Sequence, residues 1–185
     1  MAKNELAATA HHEAGHAVAS VILGHRFHYV TIEPGDGNLG HVLYPASDRR
    51  FRPDESWTPI AERRVRDAIL VMLAGYIAEA KFTGRNNWLG SRGDRDGAAD
   101  LAMRACGSTE EVNAYLAWVD ARARSLVRVW WRRIERLAHA LLVERRMPQA
   151  RVVEIVMALD ALPPPPRAGK CPLSRRSKTK ERGSP

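Results

Sequence analysis

Apolar residues recur every three or four positions over most of this chain, which predicts a mostly helical protein. Between Asn4 and Leu23, Ala10, Ala14, Ala17, Val18, Val21 and Ile22 cluster on one side of a helix turning about 100° per residue, and Gly24 supplies a stop. Arg26 to Ile32 changes register to a strand with Phe27, Tyr29, Val30 and Ile32 as β-formers. A turn over Pro34 to Gly40 leads to a second strand, His41 to Tyr44, and a polar loop covers Ser47 to Trp57. Thr58-Pro59 opens a long helix in which Val65, Ile69, Met72, Leu73, Tyr76 and Ala80 recur at helical spacing until Gly84. After a loop from Arg85 to Gly93, Asp94 begins a third helix to about Ala105. Ser108-Thr109-Glu110-Glu111 is a capping-box start for a fourth, which runs to about Arg145, with room for one break and with Trp130, Ile134, Leu137 and Leu141 as its stripe. Pro148 starts a last helix to about Leu159. The expected class is α+β: mostly α with a small β-sheet near the first helix and a helical bundle behind it. No internal repeat is visible.

Composition refines this picture. A chain of 185 residues that is 45% hydrophobic has room for one domain with a core, expected over 1–161. Pro163 to Pro166 cannot continue a helix and mark the start of a basic, disordered tail, 162–185. That tail holds seven basic residues against one acid, so +6 of the net +8 lies there and the body carries only +2. A basic face specific for nucleic acid is therefore not expected, and the tail offers at most non-specific attraction for polyanions. The longest apolar run, Ala68 to Ala78, is too short to span a bilayer, and Glu5 with the residues at 12 and 13 interrupts any signal-peptide core. A cytoplasmic protein without a membrane span is the expectation. Cys106 and Cys171 form no C-x-x-C pair, so neither a cysteine zinc site nor a disulfide framework is suggested.

The chemistry lies in the first helix. His12-Glu13-Ala14-Gly15-His16 is an H-E-x-x-H motif. Residues four apart share a face, so His12 and His16 project within about 40° of each other and can hold one metal. Glu13 lies about 60° from His16 on the same arc, placed to act on a water as general base without being a ligand. The motif alone also fits two surface histidines on an amphipathic helix. His11 falls toward the apolar side and reads as a packing residue.

Several segments, in order, resemble the peptidase domain of FtsH-type ATP-dependent zinc metallopeptidases. His12 to Val18 is similar to that family's H-E-A-G-H-A-V signature, and Tyr29 to Pro34 with Leu39-Gly40 and Pro45 to its strand-turn-strand. Ala74-Gly75-Tyr76-Ile77-Ala78-Glu79 resembles its G-G-R-x-A-E helix, and Gly90-Ser91-Arg92-Gly93-Asp94 with Ala98 and Leu101-Ala102 its G-A-x-N-D segment. Trp131, Ile134, Leu137, Leu141 and Val153 echo its C-terminal helices, so that the resemblance covers roughly residues 5 to 157.

The resemblance implies Zn2+ held by His12, His16 and, as third ligand, Asp94, with Glu13 catalytic. Asp94 also fits a helix cap. Asp96 and Asp100 are weaker candidates on the same helix. Glu79 competes as a ligand, orients a histidine, or simply lies at the surface. The implied activity is hydrolysis of flexible or unfolded polypeptides, with the substrate extended along the edge of the sheet. The implied partners are a polypeptide substrate and a separate ATPase or further copies of the chain. No G-x-x-x-x-G-K-[ST] loop occurs in the sequence, so a stand-alone peptidase without ATPase activity of its own is expected. His11 stands where the family has an aromatic residue, and Gly93 where it has asparagine. The other readings are a non-catalytic binding module in the same fold, a zinc peptidase of different fold paired with a DNA-binding partner, and nucleic-acid binding by the tail.

Overall fold

The structure, a computed structural model, describes residues 3–35, 39–46, 51, 53–55, 58–85, 87, 90 and 92–158. The expected tail at 162–185 with Cys171, the end of the last helix at Leu159, the domain boundary at 161, and parts of the expected turn and loops at 34–40, 47–57 and 85–93 lie outside the described residues.

The chain is mostly helical with one small antiparallel sheet. Its elements are α1 (Lys3–Leu23), β1 (Tyr29–Thr31), β2 (His41–Leu43), α2 (Pro59–Thr83), α3 (Arg92–Ala105), α4 (Thr109–Val129), α5 (Trp131–Glu144), β3 (Arg146–Pro148) and α6 (Gln149–Met157). The helix boundaries follow their local chemistry. The Thr58 hydroxyl accepts the Ala61 amide ahead of Pro59, and Gly84 closes α2 in the left-handed region at φ 70°. The Ser108 hydroxyl accepts the Glu111 amide. The carboxylate of Glu111, however, takes the amide of Gly107 rather than that of Ser108. The expected break in the fourth helix falls at Trp130, which separates α4 from α5. Both predicted strands are shorter than expected, and α3 starts at Arg92, two residues before Asp94.

β3 is a strand the periodicity missed. The helix ends at Arg145, whose φ of 59° reverses the chain, and Arg146–Pro148 then pairs with β1. The sheet order is β2-β1-β3. Val30 faces Val42 on one side and Met147 on the other. Val30 and Met147 are fully buried.

The first helix also departs from expectation. One greasy face was predicted, yet from Thr9 to Ser20 every residue except His12 is buried. α1 is the central element, covered by α2, α5, α6 and the sheet. Its contact with α2 is very close. A side chain at Gly15 would put Cβ 2.6 Å from the Ala74 carbonyl oxygen and 2.8 Å from Ala78 Cβ. Small residues at the crossing thus let two backbones nearly touch. Behind it, Val65 and Ile69 of α2 and Ile134, Leu137 and Leu141 of α5 are fully buried in the same core. Each such side chain contributes about 1.5–3 kcal/mol by leaving water.

His11 is built into this core as the sequence suggested. It is 2% exposed, and its Nδ1 donates to the Ala7 carbonyl at 2.8 Å. The ring stacks on Phe82 at 3.8 Å between centroids, with Trp131 at 5.8 Å. Burial holds this imidazole below its ordinary value of 6.5. Below pH 6.5 the unfolded chain therefore takes up a proton that the folded chain refuses, and stability falls with pH from there downward. His11→Phe keeps the stack and removes that proton uptake. The melting temperature of wild type is expected to fall faster than that of His11→Phe as pH drops from 7 to 5, and parallel curves would refute the assignment.

Candidate metal centre

Three side chains from two helices converge beside the α1–α2 crossing. His12 Nε2 lies 3.0 Å from His16 Nε2 and 3.1 Å from Asp94 Oδ2. His16 Nε2 lies 3.3 Å from the same carboxylate oxygen. These are the edges of a small triangle. Donors about 2.0–2.1 Å from one tetrahedral ion are separated by roughly 3.3 Å, so the spacing suits zinc-sized coordination. Among the described residues this is the group of histidine and carboxylate atoms close enough to share an ion.

The far side of each imidazole decides its tautomer. His12 Nδ1 donates to Glu79 Oε2 at 2.9 Å, and His16 Nδ1 donates to the Val71 carbonyl at 2.8 Å. With both Nδ1 atoms carrying hydrogen, the Nε2 lone pairs of the neutral rings and a carboxylate oxygen all point to one place. A cation at that point would satisfy all three acceptors. A proton serves the same electrostatic need: burial opposes charging of His12, but hydrogen bonds to Asp94 and Glu79 overcome it and raise its pKa to about 10. His16 is likewise raised, against its burial, chiefly by the Asp94 carboxylate. Although burial disfavours its charge, Asp94 is held well below the usual carboxylate range by His16 and His12.

The remaining acidic candidates separate cleanly. Glu79 is 8% exposed and faces His12 with one oxygen while Asn87 Nδ2 donates to the other at 2.9 Å. It lies on the outer side of His12, away from the convergence point. Asp96 and Asp100 pair with Arg92 and Arg104 on the exposed face of α3. Asp94 lies within the first turn of α3, and its carboxylate turns to the histidines rather than capping the helix. Glu13 is 5% exposed, and no described residue donates a hydrogen bond to it. Burial raises its carboxyl above the ordinary value, and the nearby histidines counteract this.

These groups line a cleft of about 640 Å³, walled by α1, the C-terminal half of α2, the start of α3 and β2. Leu39, Val42, Tyr44, Val71 and Met72 give it apolar walls. Two glycines shape it. A Cβ at Gly75 would overlap the His16 imidazole, and a Cβ at Gly40 would lie 2.8 Å from the Thr31 carbonyl oxygen and 3.0 Å from Glu13 Cγ. Sequence reasoning quoted both glycines only as parts of motifs. The Val71 carbonyl and Asn87 it missed, the former because a backbone acceptor has no residue signature.

No protein-family model matches the chain. It is similar to the ATP-dependent zinc metalloprotease FTSH 9, chloroplastic/mitochondrial, of Oryza sativa subsp. japonica, with 28% identity over 149 residues, 72% of this chain and 18% of that protein. It is also similar to the ATP-dependent zinc metalloprotease FtsH 2 of Methylacidiphilum infernorum, with 37% identity over 87 residues, 45% of this chain and 12% of that protein. The matched region is less than a fifth of either relative's own length. No helix of the described residues is long and apolar enough to cross a membrane.

Proposed function

We propose that this chain is a zinc-dependent endopeptidase acting on flexible or unfolded polypeptides. The observation that carries the reading is the convergence of His12 Nε2, His16 Nε2 and Asp94 Oδ2 beside a buried Glu13 carboxylate. The partial similarity to FtsH-type zinc metalloproteases supports the choice of metal and reaction. Bound zinc would acidify a water molecule and polarise the scissile carbonyl. His12, His16 and Asp94 would hold it, with Glu79 and the Val71 carbonyl fixing the two rings. Glu13 takes the proton of the attacking water on its carboxylate and returns it to the departing amine. The substrate backbone lies along β2, whose partner among the described residues is β1 on one side only. The cleft's apolar walls shed water from the reacting bond. The partners that fit this reading are a separate ATPase, which would unfold folded substrates, or further copies of the chain.

The test pairs metal content with peptide hydrolysis. Purified chain is expected to bind one zinc. Asp94→Ala should lose it, while Asp96→Ala and Asp100→Ala keep it in full. Glu79→Ala should weaken it by about 10–100-fold, the effect of removing a hydrogen-bond partner of a ligand. Wild-type protein that takes up no zinc on dialysis, or an Asp94→Ala protein that binds it normally, would refute the proposed site.

A further inference from the structure

Tyr44 lines the same cleft and is not one of the three convergent groups. Its position follows from how β2 crosses α1. Gly40 sits against Glu13 and Thr9, and four residues later the Tyr44 hydroxyl meets Ser20 Oγ at 2.9 Å. The segment therefore runs alongside α1 in the same direction, from Glu13 past His16 to Ser20. Seven residues of helix cover about 10 Å. Glu13 and the Tyr44 hydroxyl thus flank His16 from opposite ends of the cleft. Phe27, itself buried, meets the Tyr44 ring edge-on at 6.4 Å, which fixes the ring.

Several other polar side chains of the cleft already face a partner. His12 and His16 give their Nδ1 hydrogens to Glu79 and Val71, the Asn87 amide faces Glu79, and the Thr9 hydroxyl donates to the Glu5 carbonyl. His41 turns to the Tyr29 hydroxyl. Glu13, Glu79 and Asp94 are acceptors. The phenol is different, because its partner is adjustable. The Ser20 hydroxyl donates to the His16 carbonyl at 2.8 Å, an oxygen that already serves the helix ladder. Ser20 can therefore turn its proton to Tyr44 without orphaning a buried carbonyl, which frees the Tyr44 hydrogen for another acceptor.

We propose that Tyr44 is a catalytic residue of this site, donating a hydrogen bond to the scissile carbonyl oxygen as negative charge builds on it, from the side of His16 opposite Glu13. The inference rests on the peptidase reading above. Tyr44 transfers no proton: the water proton travels by way of Glu13 to the leaving amine, the C–N bond breaks, and the phenol only stabilises the oxygen between those steps. Burial, reinforced by the Glu13 and Asp94 carboxylates, pushes the phenol well above its ordinary value of 10, so the hydroxyl keeps its hydrogen throughout the working range.

The experiment uses the full zinc-loaded chain and a fluorogenic peptide that it cleaves, together with a phosphinic analogue of that peptide. Tyr44→Phe is expected to lower kcat roughly 10²-fold, the effect of losing one such donor. KM, zinc content and thermal unfolding should stay near wild type. Calorimetric affinity for the phosphinic analogue, which carries the charged tetrahedral centre, should fall by a similar factor. Equal kcat and equal phosphinate affinity in Tyr44→Phe would overturn the inference and leave the peptidase reading intact. Zinc loss in parallel with activity would also overturn it, by making Tyr44 structural. A zinc-loaded wild type that cleaves no peptide overturns the peptidase reading and this inference with it.

Discussion

Glu13→Gln is expected to fold, to bind zinc as wild type does, and to lose peptide hydrolysis by about 10²–10⁴-fold, the usual contribution of a positioned base. Glutamine has nearly the same shape, and no described residue relies on the Glu13 carboxylate for a hydrogen bond. The exchange therefore removes a proton acceptor and little else. The carboxyl is buried, and burial raises it above its ordinary value while the nearby histidines counteract this. The measurement is the initial rate on a casein or peptide substrate, with zinc content and circular dichroism as controls. Equal rates for the two proteins would exclude a catalytic Glu13 and favour a peptidase fold kept for binding.

Gly75→Ala is expected to damage the site from behind. The added methyl would occupy the space of the His16 imidazole, so either the ring leaves its place or α1 and α2 move apart. The second route is resisted by Gly15, which already brings the α1 backbone against Ala74 and Ala78. Overpacking of this kind costs about 1–3 kcal/mol. At roughly 2–4 °C per kcal/mol, the melting temperature should fall by several degrees. Zinc affinity should drop by at least about 10–100-fold, since the ring would also lose the Val71 carbonyl that orients it. Competition with a chromophoric chelator measures the affinity. Wild-type affinity in Gly75→Ala would mean that the ring has slack not visible in its contacts.

What could be read from residue types and what could not have different physical origins. The boundaries of α2 were legible because Thr58, Pro59 and Gly84 act on their own backbone, within one turn. The pairing of His12 with His16 was legible for the same reason, as a property of one helix. Asp94 is separated from His12 by 82 positions, and only the order of several motifs singled it out from Asp96 and Asp100. In space Asp94 turns to the two histidines, whereas those two face solvent and pair with arginines. Glu79 was left open between orienting a histidine and lying at the surface, and the structure places it buried against His12. The burial of α1 on all sides was misjudged because alanine, serine and threonine carry little periodic signal, yet they are what allows neighbours to close in. β3 was illegible: three residues with a single apolar side chain, Met147, make no pattern until Val30 stands opposite.

The distance along the chain between His12 and Asp94 has a consequence for the protein's own synthesis. A ribosome releases α1 early, with two imidazoles and a carboxylate already in register, but α3 emerges some eighty residues later. Until α3 docks, the first helix offers two donors and no enclosed cleft, and β1 lacks the strand from residue 146 that completes the sheet. Domains generally fold as units. On the proposed reading, hydrolytic capacity arrives together with the native fold, so an unfinished chain is harmless to itself and to its neighbours. On that same reading, the 82 positions between His12 and Asp94 tie the onset of activity to a completed fold.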